Sequence, residues 1–229
     1  MASFGLPVSN CEIASFEDQK ALIVERFDRR LAQAGTHWLR LPQEDCCQAL
    51  GVSPSIKYES DGGPGIKAIL DLLLGAQDAA TDRQTFFKAQ LVFWLLCATD
   101  GHGKNFSLAI EPQGRYRLTP LYDVLSAYPI LGAGANQLAP QRARMAMAVT
   151  GQNRHYEWSR MLPRHWLSTA RACGIAPDVA QRLINELVEK TPRVITQVSS
   201  MLPPAFPAHI ADTVFAGIRT AATQLANAH

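Results

Sequence analysis

Residues 98–110, ATDGHGKNFSLAI, place Asp100, His102, Lys104 and Asn105 within six positions, directly after one apolar segment and directly before another. Such a cluster belongs either to a solvated turn or to an active site. Asp100 and Asn105 are separated by four residues, and eighteen residues beyond Asn105 comes Asp123, in LTPLYDVLS. Phosphoryl transfer from magnesium-ATP needs this inventory. One carboxylate orients an acceptor hydroxyl and takes its proton, while an amide and a second carboxylate hold magnesium on the phosphates. Magnesium prefers oxygen ligands and keeps waters, so two protein ligands plus phosphate oxygens suffice. Taken alone, D-x-x-x-x-N is a chance pattern and Asp100-Gly101 an ordinary turn. Lys104 either places positive charge near the transferring phosphate or is a surface lysine. His102 fits a loop-fixing role through hydrogen bonds.

The elements around the cluster must bring these groups together. Residues 80–97 predict the strongest helix of the chain, capped by Thr81 or Asp82. Phe86, Phe87, Leu91, Phe93, Trp94, Leu95 and Cys97 fill most of its circumference, so the helix is expected to be buried on nearly all sides. Phe106–Ile110 and Tyr116–Leu118 flank Glu111-Pro112-Gln113-Gly114, a hairpin signal. That hairpin would return the chain so that Asp123 faces Asp100 and Asn105.

Upstream, CEIASFEDQKALIVERF reads as another hairpin, with Ala21–Val24 as a buried strand, and His37–Leu41 as a further short strand. PQEDCCQALG predicts a short helix with Pro42 near its first turn and Gly51 past its end. SDGGPG, residues 60–65, is a turn, or part of a substrate-facing loop. It is not a P-loop, because no lysine and hydroxyl follow it and no strand precedes it. Ile66–Leu74 resumes helical spacing. Beyond the loop LGAGANQLAP, helices are expected at about 141–149, 155–172, 177–198 and 206–226. Trp158, Trp166 and Tyr156 lie at helical spacing and read as core.

Composition sets the outer limits. The 229 residues are 47% hydrophobic and 18% charged, enough for a sizeable core and against global disorder. A net charge of +2 argues against nucleic acid or an anionic membrane as a bulk partner. Arg29, Arg30, Arg142, Arg144, Arg154 and His155 form a scattered basic set that reads as solvated surface. The five cysteines carry no metal-ligand spacing, so reduced thiols and a cytoplasmic protein are expected. MASFGLPVSN lacks the pattern of a signal peptide. The run Leu91–Ala98 is far short of the roughly 20 apolar residues that span a bilayer.

The stretches VERFDRR, RLPQEDCCQALG, KYESDGGPG, ATDGHGKNFSL, YRLTPLYDVLSAYP and NRHYEW resemble the HipA-like serine/threonine kinases, toxin components of bacterial toxin–antitoxin pairs. The resemblance runs from about residue 6 to 225. It implies an α+β, mostly α-helical fold: a protein-kinase-like C-terminal lobe, residues 28–229, with a short β remnant of the N-terminal lobe and hinge, residues 1–27. By this resemblance Asp100 is the catalytic base, with Lys104 beside it, and Asn105 and Asp123 are the magnesium ligands. Glu25, Arg26 and Phe27 form the hinge that holds adenine by backbone groups, and His102 is grouped with the nucleotide-binding residues. The cofactors implied are ATP and Mg2+. The partners implied are a protein substrate, such as an aminoacyl-tRNA synthetase, and a DNA-binding antitoxin through which any nucleic-acid contact would run.

The chain also departs from the family pattern. No G-x-G-x-x-G or G-x-x-x-x-G-K-[ST] appears, and Lys20, the one lysine of the front β segment, lies in a turn. The family's phosphate-covering loop and strand lysine are therefore missing. Two readings stay open: a kinase lobe that works with a phosphate clamp supplied from elsewhere, or a catalytically silent module that binds an antitoxin or partner lobe.

Overall fold

The computed structural model describes residues 1–227. Its centre is α3, Ala79–Leu95. Every residue from Phe86 to Leu95 is buried, as the all-round apolar sequence requires. Asp78 caps the helix by accepting from the Thr81 N–H at 3.1 Å. The expected cap, Asp82, instead accepts from the backbone N–H of Leu118 at 2.8 Å, tying the helix to a strand beside the site.

Around α3 lie α2 (Ile66–Leu72), α4 (Pro163–Ala172), α5 (Pro177–Met201) and α6 (Ala208–Ala226). Trp94 and Trp158 clasp each other. Each indole N–H donates to the other's backbone carbonyl, at 3.0 and 2.8 Å. Lys88, buried within α3, is neutralised by Glu186 of α5 at 2.9 Å, which a buried ammonium needs. The first residues join this body. Phe4 and Leu6 are buried in the same core, and Ser9 donates its backbone N–H to Leu121.

Among the described residues the strands form four small antiparallel sheets: β1 (Cys11–Phe16) with β2 (Gln19–Val24), β3 (Arg29–Leu31) with β4 (Trp38–Arg40), β5 (Gln43–Asp45) with β6 (Ser107–Ile110) and β7 (Tyr116–Leu118), and β8 (Arg144–Thr150) with β9 (Arg154–Glu157). The hairpins at 11–24 and 107–118 form as expected.

Three expectations are corrected. Residues 42–51 do not form one helix: β5 comes first and pairs Asp45 with Ser107. The helix α1 is only Cys46–Ala49, with Asp45 and Gln48 in a capping box. Residues 144–157 are strands, not helix. Met, Ala and Val alternate there without turn signals and favour helix locally, but a strand buried over Met145–Val149 wins through tertiary contacts. Tyr156 accordingly sits on β9, and the helix begins only at Pro163, which is suited to a first turn. Finally, Ala21–Val24 is a strand but not a buried one. Leu22 is 66% and Phe16 60% exposed, because among the described residues no third strand joins the hairpin.

Candidate active site

Glycine chemistry shapes the loop that follows α3. A β-carbon on Gly101 would lie 2.5 Å from the Phe93 ring, and one on Gly103 would lie 2.9 Å from Cys47 Sγ and 3.0 Å from Pro64. Only glycine lets Asp100–Asn105 press this closely onto α3, α1 and the 57–65 loop. Within the loop, the Asn105 side-chain carbonyl accepts from the His102 N–H at 3.1 Å, and the Asn105 N–H donates back to the His102 carbonyl at 2.9 Å. Asn105 is thus buried and fixed.

The hairpin β6–β7 returns the chain as expected. Asp123 adopts a left-handed backbone, φ +55°, a conformation that carboxylate and amide residues tolerate better than most. Its Oδ2 accepts from the Asn105 amide at 2.9 Å. The two candidate metal ligands are therefore adjacent. Amide and carboxylate oxygens are the hard donors magnesium takes, and the Asn105 carbonyl has a second lone pair beyond the one His102 uses. By chemistry the donor set fits that ion, while in this structure Asn105 turns its NH2 to Asp123 and its carbonyl to the His102 N–H.

Lys104 is not a free surface lysine. Its ammonium donates to Asp45 Oδ2 at 2.7 Å, and that hydrogen bond raises its pKa. Asp45 also caps α1, so the strand–helix junction presents this carboxylate. Tyr122 braces the loop from below, donating to the Lys104 carbonyl at 2.8 Å and lying 2.6 Å from the Ser107 hydroxyl. Burial pushes its phenol up to about 12.

Glu25, Arg26 and Phe27 share one cavity, of about 880 Å³, with Asp45, Lys104, Tyr122 and Asp123. That volume lies within the range of small-molecule sites. Phe27 packs on Tyr122 with ring centroids 5.6 Å apart. Arg26 pairs with the buried Asp28, which also receives Arg29 at 2.6 Å. The hydrogen bond from Arg26, followed by the other contacts of these two guanidinium groups, holds the Asp28 carboxyl below its ordinary range despite burial. This knot fixes the segment's path. The Glu25 N–H is taken by the Asn10 carbonyl and the Arg26 carbonyl by the Arg29 N–H. Among the described residues the Glu25 carbonyl and the Phe27 N–H have no protein partner.

Asp100, His102 and Asn105 lie outside the lining of this cavity, which Asn105 meets only through its hydrogen bond to Asp123. Asp100 is exposed, with its Oδ1 3.9 Å from His102 Nε2. His102 is buried, and burial, reinforced by Lys57, lowers its pKa. The structure therefore joins Asn105 and Asp123 to Lys104 and the hinge segment, and sets Asp100 and His102 on the neighbouring face of the same loop. Asp45, Asp28, Tyr122 and Tyr58 are additional members. No sequence spacing announces their roles, although each belongs to a quoted stretch: Asp28 to VERFDRR, Asp45 to RLPQEDCCQALG, Tyr58 to KYESDGGPG and Tyr122 to YRLTPLYDVLSAYP. The basic set is partly paired: Arg154 lies 3.6 Å from Glu59 and Arg144 3.9 Å from Glu157. All five cysteines are free, and burial raises the Cys47 thiol. Among the described residues no helix is long and apolar enough to cross a membrane.

Residues 1–195 match the family model described as the HipA-like C-terminal domain. A putative kinase, Y4mE of Sinorhizobium fredii, is 36% identical over 201 residues, covering 86% of this chain and 44% of that protein. The serine/threonine-protein kinase toxin HipA of Shewanella oneidensis is 28% identical over 211 residues, covering 87% of this chain and 46% of that protein. The chain thus spans about half the length of these relatives. Among solved structures, the Shewanella oneidensis complex of HipA, HipB and operator DNA superposes with a TM-score of 0.83 at 24% identity, over 99% of this chain and 55% of that one. The Helicobacter pylori proinflammatory kinase CtkA matches at a TM-score of 0.57 and 11% identity, over 100% and 81%. Both share the α+β kinase-like fold.

Proposed function

This chain belongs to the HipA-like C-terminal domain family, and we propose that it is the large lobe of a serine/threonine protein kinase, with residues 28–229 as the lobe itself and 1–27 on the hinge side, their first residues packed into the lobe's core through Phe4 and Leu6. The observation that carries the reading is Asp123, which lines a cavity shared with Glu25–Phe27 and accepts from the buried Asn105 behind it. In this reading the Glu25 carbonyl and Phe27 N–H hold the adenine edge. Asn105 and Asp123 hold magnesium, which when bound would neutralise phosphate charge. Lys104 exchanges part of its attraction for Asp45 for the phosphates. Asp100 orients the acceptor hydroxyl of a protein substrate and accepts its proton. His102, buried beneath the loop, supports Asp100 rather than touching nucleotide.

The exposed apolar hairpin and the chain's share of its relatives' length support a second, β-rich lobe that covers the phosphates. That lobe is either the rest of a longer chain or a separate polypeptide. The HipA–HipB–operator complex supports a DNA-binding antitoxin as partner, with nucleic acid reached only through it. An aminoacyl-tRNA synthetase is the protein substrate that the family resemblance suggests.

Calorimetric titration with ATP and magnesium tests the site, with Asp123→Asn in parallel. Magnesium-dependent heat that Asp123→Asn removes is the expected result. Asp100→Asn should keep that heat and lose phosphoryl transfer in the complete assembly. No heat from a folded wild-type chain would favour the second reading, a silent interaction module, for which the unpartnered hairpin is the supporting feature.

A further inference from the structure

Asp100 already has a hydroxyl on it. The Tyr58 phenol donates to Asp100 Oδ1 at 2.5 Å, the same kind of contact an acceptor hydroxyl makes with a catalytic base. Tyr58 is not free to swing. Its ring stands edge-on to His102, with centroids 5.1 Å apart and planes at 85°. The Lys57 ammonium lies 5.3 Å from its ring centroid. Its carbonyl accepts from Asp61 and Gly63, at 3.1 and 2.8 Å, and the Lys57 carbonyl accepts from Gly103 at 3.3 Å.

The next residue locks the loop to the body. Glu59 Oε2 accepts from the Ala148 N–H of β8 at 2.7 Å. A β-carbon on Gly63 would lie 2.3 Å from the Ile56 carbonyl oxygen, and one on Gly65 would lie 2.3 Å from the Glu59 carboxyl carbon. The glycines of KYESDGGPG thus allow a tight coil around Glu59 whose product is a fixed Tyr58. The hydrogen bond to Asp100 in turn pushes the phenol up to about 12.

An exposed aspartate has rotational freedom that a base cannot afford. A carboxylate offers two oxygens with several lone pairs, so holding one orients the other. We propose that Tyr58 is a positioning residue for the acceptor side of phosphoryl transfer: its hydroxyl clamps Asp100 Oδ1 and leaves Oδ2 for the incoming hydroxyl. This deepens the kinase reading and rests on it.

Two measurements test it. In the chain itself, carbon-13 NMR of labelled tyrosine should show Tyr58 titrating near 12 and returning toward 10, the ordinary phenol value, in Asp100→Asn. Ordinary titration in the wild type overturns the clamp. In the complete assembly, magnesium-ATP turnover with water as acceptor should fall about ten- to a hundredfold in Tyr58→Phe through kcat, with KM for ATP and thermal stability unchanged. A rise in kcat would mean that the phenol blocks the base and would overturn the proposal. Turnover that depends on Asp100 but ignores Tyr58→Phe overturns the positioning role alone. Absence of turnover in the wild type, or turnover indifferent to Asp100→Asn, sinks the kinase reading and this assignment with it.

Discussion

Two apolar segments of this chain meet opposite fates. In α3, ten consecutive residues are removed from water. In the β1–β2 hairpin, Ile13, Phe16, Leu22, Ile23 and Val24 stay in it. Both segments are apolar enough for a core, yet only one finds partners within the chain. The region that carries Asp100, Asn105 and Asp123 is thus braced by the chain's own packing. The hairpin has no such cover over these side chains. Solvent-facing apolar groups on a two-stranded ribbon mark a surface that something else covers.

The contrast can be broken most directly in the core. Phe86 is fully buried, edge-on to Phe106 at 4.8 Å. Phe86→Ala should cost about 3–5 kcal/mol in urea denaturation. A loss under about 1 kcal/mol would show that the α3 core is looser than its packing implies. Next in size is Gly101→Ala, whose new methyl meets the Phe93 ring. Overpacking of this kind costs about 1–3 kcal/mol, and the displaced loop should weaken magnesium-ATP binding as well.

A smaller effect follows pH. Burial lowers the pKa of both His102 and His165 below the ordinary 6.5. The unfolded chain therefore binds more protons in the window just below 6.5, and stability should fall as pH drops through it. His165→Asn should flatten that part of the profile. A profile that rises on acidification would contradict the burial of both rings. The smallest change belongs to the hairpin: Leu22→Ala should shift stability by no more than about 0.5 kcal/mol. A core-sized loss there would erase the distinction between the two regions.

Legibility in the sequence follows the same divide. α3 was readable because an all-round apolar helix has one solution, burial. The meeting of Asn105 and Asp123 was readable because one loop and one hairpin return bring them together. Asp45 was hidden: nothing in PQEDCCQALG says that β5 pairs with β6 and carries this carboxylate to Lys104. Tyr58 was hidden for a similar reason, since its partner lies 42 positions away. β8 misled because methionine and alanine prefer helix, while its pairing with β9, the Glu59 carboxylate on the Ala148 N–H and α4 beside it explain why a strand forms. The exposure of β2 is an absence of neighbours, which no pattern within the strand encodes.

The tryptophan clasp has an optical consequence. Of the four tryptophans, Trp158 and Trp166 each lie with ring centroids 6.4 Å from that of Trp94, close enough for the three to share excitation. Trp38, on β4, is 67% exposed. The protein therefore carries two fluorophores of different colour: a blue-emitting cluster shielded from iodide, and one red-shifted indole open to it. Excitation at the red edge would follow Trp38 alone. Lost iodide quenching of that component, when a candidate partner is added, would report cover over β3–β4 without any label.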